Sequence, residues 1–301
     1  MEQLQDFIRR GLSRRKFLAG AGCSGTAAAF TLAGCGGSRI STSTPPTTPT
    51  TPAVTDADIL NFALNLEYLE AEFYLRATTG SGLSTTDAGG ANAGMVTGGS
   101  QVPFATPAIQ QYAVEIANDE LAHVRFLRSA LGTAAVPRPA IDLTNSFNAA
   151  AMAAGIGSTF NPFASEDAFI VGAFTFEDVG VTAYHGAAGL LTSTTNLTAA
   201  AGIMATEAYH AAEIRTLLAQ LGGNYLTYAN QISALRAAAG GGNEVAVAGN
   251  AIVAADSNSI AFDRTTNQVL NIVYLTPPPG VVKSGGFFPD GLNGTITATT
   301  N

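Results

Sequence analysis

Glu120-Leu-Ala-His123 and Glu207-Ala-Tyr-His210 are two E-x-x-H runs in a chain that holds only three histidines. Residues three apart on a helix lie on one face, about a turn apart. Each run therefore aims a carboxylate and an imidazole at one point. Both runs sit in apolar stripes: Ala113, Ile116, Ala117, Val124 and Leu127 around the first, and Ile203, Met204, Ala211 and Ile214 around the second. An ionised carboxylate turned toward such an interior is costly unless something compensates it. A bound cation is the compensation this pairing points to.

Two more glutamates occupy core-facing positions. Glu67 lies among Leu60, Ala63, Leu64, Ala71 and Tyr74, and Glu177 among Ile170, Ala173, Phe174, Val181 and Tyr184. The segments match: Ala63-x-x-x-Glu67-x6-Tyr74 against Ala173-x-x-x-Glu177-x6-Tyr184. The E-x-x-H runs match beyond the motif as well, through His123-x4-Arg128-x-x-Leu131 and His210-x4-Arg215-x-x-Leu218. The chain reads as a duplicated helix pair, a Glu helix followed by an E-x-x-H helix, twice.

This pattern resembles the ferritin-like di-metal carboxylate proteins, in which four glutamates and two histidines of a four-helix bundle hold two metal ions. The resemblance covers residues 56 to 222 and fills all six positions. Ala63-Leu-Asn-Leu-Glu67-Tyr-Leu-Glu-Ala-Glu-Phe-Tyr74 and the C-terminal Gly285-Gly-Phe-Phe-Pro289-Asp-Gly-Leu-Asn-Gly294 are similar to the desiccation-related branch. The resemblance implies an all-α ferritin-like four-helix bundle with a long crossover between its second and third helices and an irregular C-terminal arm. It also implies metal ligands at Glu67, Glu120, His123, Glu177, Glu207 and His210, with Glu120 and Glu177, or Glu67 and Glu207, as bridging pairs. The cofactors would be two Fe or two Mn ions, since carboxylate and imidazole without thiolate suit both. The alternative is a bundle of the same fold whose carboxylates pair with histidines or water and hold no ion.

Around these positions, Tyr74 and Tyr184 fall two turns beyond Glu67 and Glu177. They are expected to hydrogen-bond the carboxylates or supply an electron, or to be ordinary core tyrosines. Glu70, one turn from Glu67, is a further neighbour or alternative ligand. His185 points away and reads as structural. Asp119 and Asp178 flank ligands but face aside, toward solvent or a supporting contact, and Arg128 and Arg215 are expected to pair with acids.

The spacing predicts a first helix from the Thr55 or Asp56 cap to Thr78 and, after a Gly-, Ser- and Thr-rich loop, a second over 107–131. A third starts near Ser165, with Glu166 and Asp167 suited to its positive end. A fourth runs over 197–221, closed by Gly222-Gly223. The segment between the second and third is long enough to run back along a bundle helix. Beyond it, residues 223–301 read as a Gly-, Asn- and Thr-rich arm packed on the bundle. One helix is predicted there after the capping-box spacing Thr265-Thr-Asn-Gln268, and 244–260 reads as either helix or strand.

The N-terminus reads as a targeting segment. Ser13-Arg14-Arg15-Lys16-Phe17-Leu18 resembles a twin-arginine export signal, and Leu32-Ala33-Gly34-Cys35 resembles a lipobox, with Cys35 lipidated and residues 1–35 forming the signal. The competing reading is a single membrane-spanning anchor. Residues 36–54, with STSTPPTTPTTP at 41–52, form an extended tether. The expected partner is then a membrane, reached through the lipid on Cys35, and the location a periplasmic or cell-envelope surface. With Cys23 removed and Cys35 modified, no thiol is left for disulfides or catalysis. A net charge of −8 without a basic patch after the signal excludes nucleic acid.

Such a centre would handle peroxide or oxidise ferrous iron under oxidative or desiccation stress. The competing classes are a protective, non-catalytic stress protein and a partner-binding module. A hydroxylase would need a substrate cavity, of which the sequence carries no sign.

Overall fold

The computed structural model describes residues 54–249 and 251–301. The segments read as an export signal and as a lipobox at Cys35, and the Thr/Pro tract, lie outside the described residues. Among the described residues no helix is long and apolar enough to cross a membrane.

Helix α1, Asp56–Thr79, starts in a capping box. The Thr55 side chain accepts from the Asp58 N–H at 3.2 Å, and the Asp58 carboxylate accepts from the Thr55 N–H at 2.9 Å, satisfying two donors that a helix start leaves open. It ends at Gly80, whose φ of 79° takes the left-handed turn that glycine allows. After a loop, α2 spans Pro107–Leu131 and α1 packs along it. The loop is not loose. Val96–Thr97 (β1) pairs in parallel with Ile141–Asp142 (β2) of the crossover, and the Asp87 carboxylate meets Arg125 at 2.8 Å. The crossover back to the third bundle helix contains a short helix, α3 (Asn145–Ala153).

The third bundle helix differs from the expected continuous rod. It is split into α4 (Glu166–Phe174) and α5 (Glu177–Ala188). At the junction the Thr175 and Phe176 N–H groups bond three residues back, to Gly172 and Ala173, the tighter turn of a 3₁₀ helix. The Phe174 carbonyl accepts instead from the Arg236 guanidinium at 2.5 Å. The break has a consequence for the site: Glu177 becomes the first residue of α5, where the open N–H groups favour a negative charge.

Helix α6 runs over Thr194–Leu221, capped by Ser193, and packs along α5. The expected stop at Gly222-Gly223 is only a corner, because α7 follows at once over Gly223–Gly240. Helix α8, Thr266–Val273, carries the predicted capping box between Thr265 and Gln268. Residues 244–249 and 251–260 are neither helix nor strand; isolated bridges such as Ala248 to Ala251 hold them.

Two features fasten this arm to the bundle. At Gly186 of α5 a side chain would overlap the backbone carbonyl of Arg264, so the arm crosses the helix at a distance only glycine permits. Beside it lies a buried ionic network. Asp178 accepts from Arg215 at 2.9 Å and Arg236 at 2.7 Å, and Glu244 pairs with Arg236 at 2.9 Å and Arg264 at 2.7 Å. The core beneath is aromatic: Phe73 stacks on Phe169 with ring centroids 5.5 Å apart and meets Tyr74 and Phe176 edge-on.

Removing one partner of a buried ion pair costs about 3–5 kcal/mol, because the other charge is left uncompensated. Glu244→Gln, remote from the cluster described below, should therefore lower the melting temperature by roughly 6–20 °C. A change of less than a degree in a thermal melt would show that the network does not hold the arm.

Candidate metal centre

Helices α1, α2, α5 and α6 each send residues into one point of the bundle interior. Glu67 comes from α1, Glu120 and His123 from α2, Glu177 from α5, and Glu207 and His210 from α6. All four glutamates are at most 1% exposed and both histidines are buried. Both imidazoles turn Nδ1 inward. His123 Nδ1 lies 3.2 Å from Glu67 Oε2, 3.5 Å from Glu120 Oε2 and 3.4 Å from Glu207 Oε1. His210 Nδ1 lies 3.1 Å from Glu120 Oε1 and 3.6 Å from Glu177 Oε2.

The six residues form two groups able to hold an ion: Glu67, Glu120, His123 and Glu207, and Glu120, Glu177 and His210. Glu120 belongs to both, with one oxygen toward each histidine. Glu67, Glu207 and Glu177 each belong to a single group, which leaves Glu120 as the carboxylate common to both.

The cluster fits a metal by a direct criterion. Glu67 Oε2, both oxygens of Glu120, Glu177 Oε2, both oxygens of Glu207, and Nδ1 of His123 and His210 are buried without a hydrogen-bond partner. Buried polar atoms are seldom left so, and here they converge from four helices. Oxygen and imidazole donors without sulfur match iron or manganese. Glu72 of α1 makes a useful contrast. Equally buried, it is met by Arg76 at 2.8 Å, by Arg138 and by the Leu83 N–H at 3.2 Å, so it needs no cation.

The surrounding groups orient these donors. Tyr74 donates its O–H to Glu177, and Tyr184 donates to Glu67. The partners are thus exchanged between the two repeats. The outward Nε2 of His210 lies 3.2 Å from Asp119 Oδ2, an arrangement that fixes ring and tautomer. Glu70 belongs to neither group. It lies near Glu207, and Gly180 of α5 makes room for both, since a side chain there would overlap Glu207 Oε2. Asp178 is spent on Arg215 and Arg236. Arg128 forms no ion pair among the described residues and donates to the Tyr68 hydroxyl at 2.6 Å. His185 Nδ1 meets the Phe262 carbonyl at 3.1 Å, a structural contact.

The charges act on one another strongly. Burial raises the Glu67 carboxyl to about 7, although His123 pulls it back. Burial and the charges of Glu120, Glu67 and Glu177 hold Glu207 well above the usual carboxylate range. Burial and the same neighbours, Glu207 foremost, do the same to Glu70. Glu120 goes the other way: burial opposes it, but the two imidazoles beside it, at 3.5 and 3.1 Å, bring it down to about 2. Burial works against the charge on His210, yet Glu120 and Glu177 push it up to about 12.

For a carboxyl raised on folding, the protonated form is bound more tightly in the folded state. The stability that Glu67 and Glu207 contribute is whole below the unfolded value near 4.5 and is lost as pH rises through about 7 for Glu67. Metal-stripped protein should therefore melt several degrees lower at pH 7.5 than at pH 5. Added Fe²⁺ or Mn²⁺ should reverse that order, because ions bind the deprotonated ligands. Equal melting temperatures at both pH values in chelator would mean that the carboxylates are not held as described.

The model of the family described as "Ferritin-like domain" matches residues 55–220, the stretch that carries all four ligand-bearing helices. The chain is similar to the desiccation-related protein PCC13-62 of Craterostigma plantagineum, with 32% identity over 241 residues, 71% of this chain and 76% of that protein. It is also similar to the ferritin-like catalase Nec2 of Nesocodon mauritianus, with 29% identity over 272 residues, 80% of this chain and 84% of that protein. With its bundle, its duplicated Glu and E-x-x-H helices and these relatives, the chain belongs to the ferritin-like domain family, in the branch of desiccation-related proteins.

Proposed function

We propose that this protein holds two iron or two manganese ions between Glu67, Glu120, His123, Glu177, Glu207 and His210, and consumes hydrogen peroxide. The observation that carries the reading is the set of partnerless buried oxygens and nitrogens on these six residues. Similarity to a protein named as a catalase supports peroxide rather than ferrous iron as substrate. When bound, the ions supply a two-electron exchange: one peroxide leaves as dioxygen, releasing two protons and two electrons, and a second takes these up to become two waters.

The chain's own residues prepare that site. Tyr74 and Tyr184 hold the Glu177 and Glu67 carboxylates by hydrogen bonds, and Asp119 holds His210 with Nδ1 inward. The Phe73, Phe169 and Phe176 cluster packs against Tyr74 and keeps bulk water away. Four carboxylates with two neutral imidazoles match the charge of two divalent ions. The envelope reading rests on the Arg14-Arg15 and Cys35 motifs of the sequence. Export in folded form would let the protein acquire its metal before crossing. The second reading, a protective bundle without turnover, is favoured by the desiccation-related relative.

The deciding experiment measures metal per chain by mass spectrometry, and oxygen release from peroxide, on protein exported by its own host. About two iron or manganese ions per chain and oxygen evolution are expected for the wild type. Glu120→Ala/Glu207→Ala should hold none and evolve none. A folded, metal-free wild type would end the enzymatic reading and leave the protective one.

A further inference from the structure

Beside the carboxylate cluster, on the side of α5 that faces α1, lies a cavity of about 280 Å³. Its rim at Ala153, Ala238 and Pro277 is exposed, and its depths at Leu66, Leu69 and Val179 are buried. Its walls come from α1, α3, α5, α7 and α8, so the C-terminal arm and the crossover complete it. Three lining side chains other than hydrocarbons are present. Arg236 is committed to Asp178, Glu244 and the Phe174 carbonyl, and Thr175 donates to the Val171 carbonyl at 3.3 Å. The third, Glu70, is 5% exposed and has no hydrogen-bond partner among the described residues. An apolar pocket with one convergent polar group is the form small-molecule sites take.

We propose that this cavity binds a small, neutral, mostly apolar molecule that carries a hydroxyl group, with the Glu70 carboxyl as its polar anchor. Size sets the upper bound. A dry apolar cavity of about 150 Å³ takes benzene, so about 280 Å³ takes two fused rings or an aliphatic chain of similar bulk. Charge sets the preference. Glu70 lies beside Glu207, so an anionic ligand would face acidic neighbours in a site that also strips its water, whereas a neutral hydroxyl needs no counter-charge and can donate a hydrogen bond to the Glu70 carboxyl oxygen. The small side chains Ala150 and Ala239 in the lining leave the space open. The site needs neither bound metal nor turnover and stands apart from the peroxide reading.

Isothermal titration with 1-naphthol and 1-naphthoate tests it on the full exported protein, with and without chelator. One 1-naphthol should bind per chain in both conditions, and 1-naphthoate at least tenfold more weakly. Ala239→Phe, and separately Ala150→Phe, should abolish naphthol binding without lowering the melting temperature, because each fills space that exists. Glu70→Gln, equally neutral and still an acceptor, should keep naphthol binding and the gap to naphthoate, and Glu70→Leu should weaken naphthol. Absence of heat with naphthol up to its solubility, equal binding of naphthoate, or naphthol binding that survives both Phe variants would overturn the proposal. If both Phe variants fail to fold, the naphthol-to-naphthoate ratio in wild type and Glu70→Gln decides.

Discussion

Four glutamate side chains, each cut off from water, face one another in the middle of a helical bundle, and much of the molecule is arranged around the energy of that placement. Ionised and unpaired, each would cost several kcal/mol in an apolar interior. The two histidines neutralise part of the charge. Their protonated rings, however, leave acceptor oxygens without partners at the shared Glu120 and at Glu207. A pair of divalent ions would supply both the charge and the missing coordination, with the imidazoles neutral as metal binding requires. Glu70, outside both groups, then has no cation to balance it, which agrees with burial and its acidic neighbours holding it well above the usual carboxylate range.

The same constraint accounts for the departures from a regular bundle. Splitting the third helix puts Glu177 at a helix start, where the backbone itself favours its charge. Arg236 takes up the carbonyl at that break and also meets Asp178, the residue next to Glu177. Asp178 in turn binds Arg215, one turn beyond His210 on α6. Through Glu244 and Arg264 the network continues into the arm. The C-terminal residues thus brace the backbone on either side of two candidate ligands. An arm that looked like an appendage by composition is part of the scaffold of the site.

What the sequence disclosed follows from which signals are local. E-x-x-H spacing, the matched Glu67 and Glu177 segments and the cap at Thr55 depend on residues within a turn or two, and these place the ligand helices; the caps at Ser165 and Thr265 are as local and place α4 and α8. Partner choices across the bundle were not legible. Tyr74 and Tyr184 were placed near carboxylates by their spacing, but their exchange between repeats depends on how the helices face one another. Helix α7 was masked by composition: Gly222-Gly223 marks a helix end, and it was followed at once by a new start. Stronger weight on the run Ala229, Ile232, Ser233 and Arg236, spaced three and four, was the available signal. The cavity had no signal at all, because five separate elements contribute to its walls.

The duplication is also imperfect in a way that bears on chemistry. Asp119, just before Glu120, reaches across to the Nε2 of His210. The corresponding residue before Glu207 is Thr206, and no acid meets the Nε2 of His123 among the described residues. A carboxylate behind a metal-bound imidazole raises its basicity and fixes its ring, so the two halves of the centre are not equivalent donors. His123 shares its group with three glutamates and His210 with two, which moves charge in the opposite sense. The half with fewer carboxylates has the better-supported histidine. Two ions held there would differ in their ligand fields, although the helices that carry them arose as a repeat.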